Sequence, residues 1–492
     1  MTQQKSIAII GAGISGLTAA IELASNGFRV TVFEKNEQYG GRGGILKKDG
    51  FMFDCGPSWY WMPDIFEEFF KKHGHSTGDY FDLKRLDPSF RIFSYKEFMD
   101  VPAGRASCLE LFEQREKGSS KFLNKFLDEG QYKYQTGMRD FVRKPSLKWS
   151  EYFDWRLLKG LMRLEMLKSL ETVVHRGIKD PILRQWMCFP VLFLGAKPSR
   201  TPALYSLMNY AEIELGTWYP MGGMIKLFES LYQMALDRGV LFEFNSSVDK
   251  IEVLDQKATG VKINGVQHHA DVVLSTADYQ HTDQVLLDPS SRQYSEQYWN
   301  ARLMAPSALV FYIGIDRKVE GLLHHNLFFD EPFDRHAREI YDVPDWPSDP
   351  LFYVCVPSKT DPTVAPQGME NLFILIPLAA GLEDSPVHRE NLFQKVFQRI
   401  QKKIGTNLIP HVIVREEMGP KDFKSVYNSF KGNAYGLANT LMQTAVLKPR
   451  LKHSRVEGLF FAGQLSHPGP GLPPSLISGQ ISAELILKYL NP

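Results

Sequence analysis

The segment Gly11-Ala12-Gly13-Ile14-Ser15-Gly16 has the glycine spacing of a turn that binds a pyrophosphate. Gly11 permits the tight turn, Gly13 lets the backbone approach a phosphate, and Gly16 allows a helix to pack closely on a strand. The free N–H groups at the start of that helix favour anionic groups. Glu34 follows Gly16 by 18 residues and can accept hydrogen bonds from ribose hydroxyls. This spacing predicts a dinucleotide site.

Two strands and a helix must position these residues. Ser6–Ile10 is an apolar run typical of a buried parallel strand, and Leu17–Ser25 is apolar at helical spacing. Asn26-Gly27 should end the helix, and Arg29–Phe33 forms the second strand. The result is a complete βαβ unit, which is the context that makes the glycine motif specific.

A second glycine-rich turn, Gly40-Gly41-Arg42-Gly43-Gly44, follows this unit. A domain that binds only a nicotinamide dinucleotide has no need of it. We expect its backbone to press against the cofactor and Arg42 to meet a phosphate or the edge of a flavin. The alternative for Arg42 is a surface arginine in a flexible loop.

The C-terminal end of the chain repeats the pattern of strand, glycine turn and helix. Gly458–Gly463 is a buried strand that ends in glycine, His467–Pro474 is a rigid loop, and Ser475–Leu490 reads as a helix. A glycine-rich turn at a helix N-terminus suits the N1/C2-carbonyl edge of a flavin, which gains negative charge on reduction. For His467 we prefer a loop histidine that caps a turn over a catalytic group.

Together these motifs resemble those of bacterial FAD-dependent carotenoid desaturases, the phytoene-desaturase type within the amine-oxidase-like flavoproteins (the carotenoid/retinoid oxidoreductase family). The resemblance spans almost the whole chain, and its more specific parts are Gly56–Pro63, Tyr219–Met224 and His467–Pro474. This chain departs from the family at Thr276-Ala277-Asp278, where Asn-Ala-Asp is usual, and at Pro474, where a glycine is usual. Because proline lacks an N–H, contacts with the flavin at Pro474 are in question.

The resemblance implies an α/β (α+β) fold with a Rossmann-like FAD-binding domain of the amine-oxidase and glutathione-reductase type. It also implies an inserted mixed-sheet substrate domain with a helical, membrane-facing region. The expected FAD-binding segments are residues 1–90, 222–295 and 431–492, and the expected substrate-binding segments are residues 91–221 and 296–430. Within the first domain, Gly239–Ser275 reads as a β-rich return with a hairpin turn at Asn264-Gly265.

The resemblance also implies FAD contacts at the motif positions. The residues expected to bind FAD are Gly11, Gly13, Ser15, Gly16, Glu34, Lys35, Gly41, Arg42, Gly43, Gly56, Pro57, Ser58, Trp59, Val248, Gly463, Gly471, Leu472, Pro473 and Ser475. The residues expected near substrate are Trp59, Trp61, Tyr219 and His467. Trp59, Tyr60 and Trp61 could border an apolar tunnel, and the alternative is that they pack in the core.

We find no metal-ligand spacing, no catalytic triad order and no outstanding carboxylate pair, so we assign no catalytic residue and expect no metal. The resemblance implies desaturation of an acyclic C40 carotenoid, in which flavin N5 takes a hydride and the polyene delocalises the resulting charge. The substrate is either a phytoene-like hydrocarbon or a 1-hydroxycarotenoid that is desaturated at the 3,4 position. Oxygen or a quinone would reoxidise the flavin. The alternatives are a flavin amine oxidase and a non-catalytic isoprenoid-lipid carrier.

The charge balance and the lengths of the apolar runs limit which classes of partner the chain can have. The chain has 57 basic and 56 acidic residues, which argues against a global nucleic-acid-binding surface. No apolar run reaches the ~20 residues of a spanning helix. Residues 143–184 contain ten Lys or Arg and five Asp or Glu. They belong to a predicted helical region at about 143–196, and we expect this basic stretch to contact an anionic membrane. The alternative is an ordinary helix that covers the substrate domain. We expect a cytoplasmic protein on the inner face of the plasma membrane.

Overall fold

A computed structural model describes residues 4–152 and 168–491. The strands are β1 (Ser6–Ile10), β2 (Arg29–Phe33), β3 (Ile45–Lys48), β4 (Phe51–Asp54), β5 (Leu83–Arg85), β6 (Phe90–Phe93), β7 (Phe98–Val101), β8 (Trp218–Pro220), β9 (Leu241–Glu243), β10 (Val248–Leu254), β11 (Lys257–Ile263), β12 (Val266–His269), β13 (Val272–Ser275), β14 (Ser307–Ile315), β15 (His325–Phe328), β16 (Phe352–Cys355), β17 (Glu370–Leu378), β18 (Val412–Met418) and β19 (Leu459–Phe461). The α-helices are α1 (Ile14–Ser25), α2 (Pro63–Lys72), α3 (Arg105–Arg115), α4 (Ser119–Thr136), α5 (Leu170–Gly177), α6 (Pro181–Cys188), α7 (Leu207–Tyr210), α8 (Ile225–Leu236), α9 (Tyr279–His281), α10 (Glu296–Asn300), α11 (Phe333–Tyr341), α12 (Pro386–Ile404), α13 (Pro420–Tyr427) and α14 (Leu472–Leu490).

A parallel sheet of five strands, in the order β19-β13-β1-β2-β9, carries the first glycine motif. The predicted bounds of β1 and β2 are confirmed. Helix α1 begins at Ile14, three residues before the predicted start, because Ser15 and Gly16 in its first turn hide the apolar periodicity. Helix α1 packs closely on α14: a Cβ at Gly479 would lie 2.4 Å from the carbonyl oxygen of Ser15.

The second large sheet is mixed and has seven strands, in the order β18-β14-β17-β16-β15-β6-β7. Only the β15–β6 pair is parallel. Alternate residues of β14 face opposite sides, as a strand requires. Phe311 packs with Phe393 of α12 on one side, and Tyr312 packs with Phe53 and Phe373 on the other. The mixed sheet expected from the resemblance is therefore present.

A small antiparallel sheet, β10-β11-β12, lies in the chain between β9 and β13 of the parallel sheet. The predicted hairpin turn at Asn264-Gly265 joins β11 to β12, and both turn residues have positive φ, at 49° and 80°. These angles are the ones a two-residue hairpin of the favoured twist requires. The sequence did not reveal the preceding hairpin at Asp255-Gln256, which also uses two positive φ angles, 47° and 60°.

The strands of the parallel sheet come from residues 6–33, 241–275 and 459–461, and those of the mixed sheet from residues 90–101 and 307–418. Strand β5 pairs with β8. Among the described residues, no helix has the length and apolar content needed to cross a bilayer. Part of the predicted membrane-contacting stretch, residues 153–167, lies outside the described residues.

Candidate active site

One large cavity opens at the carboxyl ends of the parallel strands, and the space within it and its open mouth is about 2420 Å³. This edge is where ligands bind in open α/β sheets. The predicted residues that line the cavity are Gly11, Gly13, Ser15, Glu34, Lys35, Gly41, Arg42, Gly43, Gly56, Pro57, Ser58, Trp59, Trp61, Val248, Gly463, Gly471, Leu472, Pro473 and Ser475. Three other predicted residues, Gly16, Tyr219 and His467, are not among those that line it.

The first glycine turn is held tightly and leaves one face open. Gly11 has φ 101°, and its N–H donates to the Phe33 carbonyl at 2.8 Å. A Cβ at Gly16 would lie 2.1 Å from the Gly11 carbonyl oxygen, so Gly16 allows the helix to approach the turn. A Cβ at Gly13, by contrast, would lie more than 4 Å from every described residue except its chain neighbours, and Gly13 lines the cavity. The open face at Gly13 is a cradle that fits a bound phosphate.

Glu34 supports this turn as well as lining the cavity. Its Oε2 accepts a hydrogen bond from the Ala12 N–H at 2.8 Å. Its Oε1 accepts from the N–H of Asn36 at 2.9 Å and from Asn36 Nδ2 at 2.8 Å. The buried carboxylate therefore ties the end of β2 to the glycine turn after β1. Among the described residues, Oε2 accepts only the one hydrogen bond from Ala12 and has a second lone pair, which suits a ribose hydroxyl.

Arg42 is a buried cation in the wall of the cavity. Its Nη2 donates to Ser429 Oγ at 3.0 Å, and its guanidinium lies 5.3 Å from the centre of the Tyr427 ring. Burial lowers the pKa of Arg42, while the nearby Asp278 carboxylate acts in the opposite direction. Its Nε is buried without a hydrogen-bond partner among the described residues. A buried donor with no partner needs an explanation, and an anionic or electron-rich cofactor edge supplies one.

The C-terminal turn brings a second helix N-terminus to the cavity. Helix α14 begins at Leu472, three residues before the predicted Ser475, and Gly471 (φ 107°) precedes it. Pro473 and Pro474 occupy the first turn, where N–H groups have no partner within the helix, so neither proline removes a helical hydrogen bond. Ser15 Oγ donates to the Ser475 carbonyl at 2.7 Å and so joins the starts of the two helices.

The sequence motifs missed one wall of the cavity, formed by the residues at the end of α13. Phe423, Tyr427 and Asn428 line it. Lys35 Nζ reaches this wall and donates to Asn428 Oδ1 at 3.2 Å. Asp278 also lines the cavity, and one of its oxygens accepts from the N–H groups of Gln280 and His281 at the start of α9. The sequence carried no local signal for α13, because only tertiary packing brings it here.

Aromatic rings form another wall. Trp59 stacks on His325, with ring centroids 4.0 Å apart and planes at 13°. It also lies 5.2 Å from Trp61 and 5.4 Å from Tyr353. Trp61 Nε1 donates to Thr217 Oγ1 at 2.9 Å, which holds the indole in place. Tyr60 is fully buried and is not among the residues that line the cavity. Other apolar residues in the lining include Met62, Phe66, Met208, Phe228, Val310 and Leu375.

Tyr219 and His467 lie outside this cavity. Tyr219 is buried and lines a separate small cavity together with Asp54, Ser58 and Cys355. The ring of His467 bonds to the Val142 carbonyl through Nε2 at 3.0 Å and to Ser146 Oγ through Nδ1 at 3.1 Å. Burial lowers the pKa of His467 to about 3, so its imidazole is neutral. Both ring nitrogens are thus engaged in fastening the loop.

The sequence matches the family of flavin-containing amine oxidoreductases over residues 14–487. The chain belongs to this family. It is 38% identical to a carotenoid 3,4-desaturase of Haloarcula japonica, with 98% of each chain covered. It is 32% identical to a zeta-carotene-forming phytoene desaturase of Myxococcus xanthus, covering 100% of this chain and 95% of the relative. The solved structure of cyclohexylamine oxidase from Brevibacterium oxydans shares the fold, with a TM-score of 0.60 and 16% identity. The match covers 99% of this chain and 100% of the oxidase.

Membership in the family of flavin-containing amine oxidoreductases identifies the cofactor as a flavin. The protein is an FAD-dependent oxidoreductase, as the glycine turns predicted. The open cradle at Gly13 and the unpaired Nε of Arg42 fit the cofactor on independent grounds. The flavoprotein fold with a mixed second sheet is likewise confirmed.

Proposed function

We propose that this flavoprotein desaturates an acyclic C40 carotenoid. The observation that carries the proposal is that one cavity is lined both by the cofactor turns and by the apolar wall around Trp59. Such a wall suits a hydrocarbon chain, since burial of each CH₂ contributes about 0.8 kcal/mol. The full-length likeness to the Haloarcula japonica and Myxococcus xanthus desaturases supports the same substrate class.

The chain's own residues bind the cofactor, orient the substrate and exclude water from the site. The glycine turns, Glu34 and Arg42 hold the cofactor, which when bound supplies the acceptor for a hydride. The aromatic wall keeps water from the reacting carbon atoms. Tyr353 and Tyr435 line the cavity, and burial raises the pKa of both hydroxyls, so neither is a base near neutral pH. In the proposed reaction the polyene delocalises the charge left by hydride loss, so the proton can leave without a strong base.

We assign the roles of residues in the same proposal. The predicted FAD contacts that line the cavity bind the cofactor, and the side chains of Trp59 and Trp61 face substrate. The segments that build the parallel sheet form the FAD-binding domain, and those that build the mixed sheet form the substrate domain. The predicted substrate roles of Tyr219 and His467 would be indirect, because neither lines the cavity.

Two substrates remain within the proposal: a phytoene-like hydrocarbon and a 1-hydroxycarotenoid desaturated at the 3,4 position. A hydroxyl end needs at least one polar partner deep in the site, since a buried unpaired hydroxyl is costly. The likeness to a carotenoid 3,4-desaturase supports the second substrate, and the likeness to a phytoene desaturase supports the first.

The water-insoluble substrate supports peripheral binding to the inner face of the plasma membrane. The basic excess of residues 143–184 is the proposed contact with anionic lipid. Oxygen or a quinone accepts the electrons. Vesicle sedimentation tests the contact: binding should require anionic lipid and weaken with salt, and equal binding to neutral vesicles would contradict it.

Anaerobic bleaching of the flavin tests the reaction. The FAD-loaded protein is mixed with liposomes that contain phytoene, a 1-hydroxylated acyclic carotene, or no carotene, and putrescine is the amine control. We expect bleaching with at least one carotene and a product with one more double bond. Bleaching by the amine alone would replace the proposal with an amine oxidase, and retained FAD with no bleaching by either class would reject catalysis of both kinds.

A further inference from the structure

Three buried side chains with metal-binding atoms meet behind the aromatic wall. His325 on β15 and Cys355 on β16 are directly opposite partners in an antiparallel pair, so their side chains share one face. His324 immediately precedes β15, and its carbonyl accepts from the Val356 N–H at 2.7 Å. One ligand atom from each of the three residues lies within 4.8 Å of the others. All three are at least 95% buried, with exposed fractions of 5% for His324, 0% for His325 and 1% for Cys355.

Each imidazole uses one nitrogen and leaves the other unused. Nδ1 of His324 bonds to Thr360 Oγ1 at 2.7 Å, and Nδ1 of His325 bonds to the Tyr353 hydroxyl at 2.6 Å. Within the described parts of the chain, Nε2 of each ring is buried without a hydrogen-bond partner. Two adjacent buried nitrogens without partners are costly unless they bind something. A hydrogen bond to the second ring nitrogen is also what orients a histidine that ligates a metal.

A metal ion binds a neutral imidazole and a thiolate, so a cation bound by this cluster would displace the proton of the Cys355 thiol.

We propose that His324, His325 and Cys355 bind one divalent cation that favours sulfur and nitrogen ligands, with Zn²⁺ as the cation to be tested. Two imidazoles and one thiolate are a ligand set that zinc accepts, with a fourth position left for another donor. On binding, the Cys355 S–H bond breaks, a proton is released and a metal–sulfur bond forms, without any change of oxidation state. The thiolate and the buried Asp361 carboxylate, which interacts with His324, together balance the two positive charges.

The site lies next to the cofactor cavity and has a structural consequence. Ser58 lines both the small cavity that contains Cys355 and the large cofactor cavity. His325 stacks on Trp59 at 4.0 Å. A metal that fixes the ring of His325 would therefore hold Trp59 against the substrate, which makes this a structural site rather than part of the redox reaction.

Metal content tests the proposal directly, with protein that carries no histidine tag. The FAD-loaded enzyme is treated with chelator, loaded with Zn²⁺, dialysed and analysed for zinc and flavin. We expect one zinc per FAD in the wild type and in Cys108→Ser, which replaces a different buried thiol. We expect none in Cys355→Ser, and about 10–100-fold weaker binding in Thr360→Val, which removes the partner of one ring.

A second measurement covers the case in which Cys355→Ser does not fold. Wild-type enzyme loaded with Co²⁺ should show a thiolate-to-cobalt charge-transfer band in the near ultraviolet. A wild type that holds FAD but retains neither zinc nor cobalt overturns the proposal, as does a Cys355→Ser variant that holds as much zinc as the wild type. Because metal content and flavin bleaching are separate readouts, failure of one leaves the other unaffected.

Discussion

Glu34 offers a sharp test of how the cofactor end is built. Its carboxylate accepts three hydrogen bonds, from the Ala12 N–H, the Asn36 N–H and Asn36 Nδ2, at 2.8, 2.9 and 2.8 Å. Glu34→Gln keeps the shape but replaces one acceptor oxygen with an NH₂ group. That NH₂ must then face another donor, so at least one of these bonds is lost.

The size of the effect follows from the bond type. A hydrogen bond to a charged group contributes about 1.5–3 kcal/mol. We therefore expect the FAD-free Glu34→Gln protein to have a free energy of unfolding about 1.5–3 kcal/mol below that of the FAD-free wild type, because the glycine turn is held less firmly. If Glu34 also accepts from the ribose, FAD binding loses a further contribution of the same kind. Since each 1.4 kcal/mol is tenfold, the Kd for FAD should rise about 10–100-fold.

Two assays separate the two roles. Denaturant unfolding of the apoprotein reports the turn, and fluorescence titration with FAD reports the ribose contact. The matched control is Glu37→Gln, because Glu37 is exposed and does not line the cavity. If Glu34→Gln binds FAD within about twofold of Glu37→Gln, the ribose role of Glu34 is wrong, even when the loss of stability is as expected.

Three further predictions concern other parts of the chain. Gly13→Ala should weaken FAD binding while leaving the FAD-free protein as stable as the wild type. Gly16→Ala should destabilise the FAD-free protein, because its Cβ would lie 2.1 Å from the Gly11 carbonyl oxygen. Equal unfolding midpoints of the two variants in denaturant would contradict this prediction. Burial raises the pKa of Glu212 from its ordinary value of 4.5 to about 8, so between these pH values the folded state holds a proton that the unfolded state has lost. Stability should therefore fall as the pH rises from about 4.5 to about 8, by up to about 1.4 kcal/mol per pH unit. Glu212→Gln keeps an acceptor for Trp186 Nε1 and should remove that loss in unfolding curves. A variant with the same pH profile as the wild type would refute this prediction. Met208→Trp should fill the apolar part of the cavity and reduce carotenoid turnover at unchanged flavin content, and turnover equal to the wild type would show that substrate does not occupy this part.

The cofactor turns could be predicted from sequence because their determinants are local. Gly11 needs a positive φ, and Gly16 needs contact with a residue five positions earlier, so a short motif encodes both requirements. The start of α14 was misplaced because prolines hide the helical pattern, although they are tolerated in a first turn.

The rest of the site depends on long-range packing. Tyr427 and Asn428 reach the cavity only because α13 packs beside it, and no spacing in residues 420–428 signals that position. The meeting of His325 and Cys355 is set by the register of β15 with β16, and 23 residues separate these two strands in the chain. A pairing register of that kind is fixed by the whole sheet rather than by a motif.

Trp59 lies where these two kinds of determinant meet. The backbone of Gly56, Pro57 and Ser58 belongs to the cofactor wall, while the ring of Trp59 is held from behind by His325 on β15 and by Tyr353 on β16. Substitutions in β15 and β16 can therefore reshape the apolar wall without moving the glycine turns. This arrangement gives a physical reason why proteins with the same fold can keep the flavin site while the part of the cavity that receives substrate diverges.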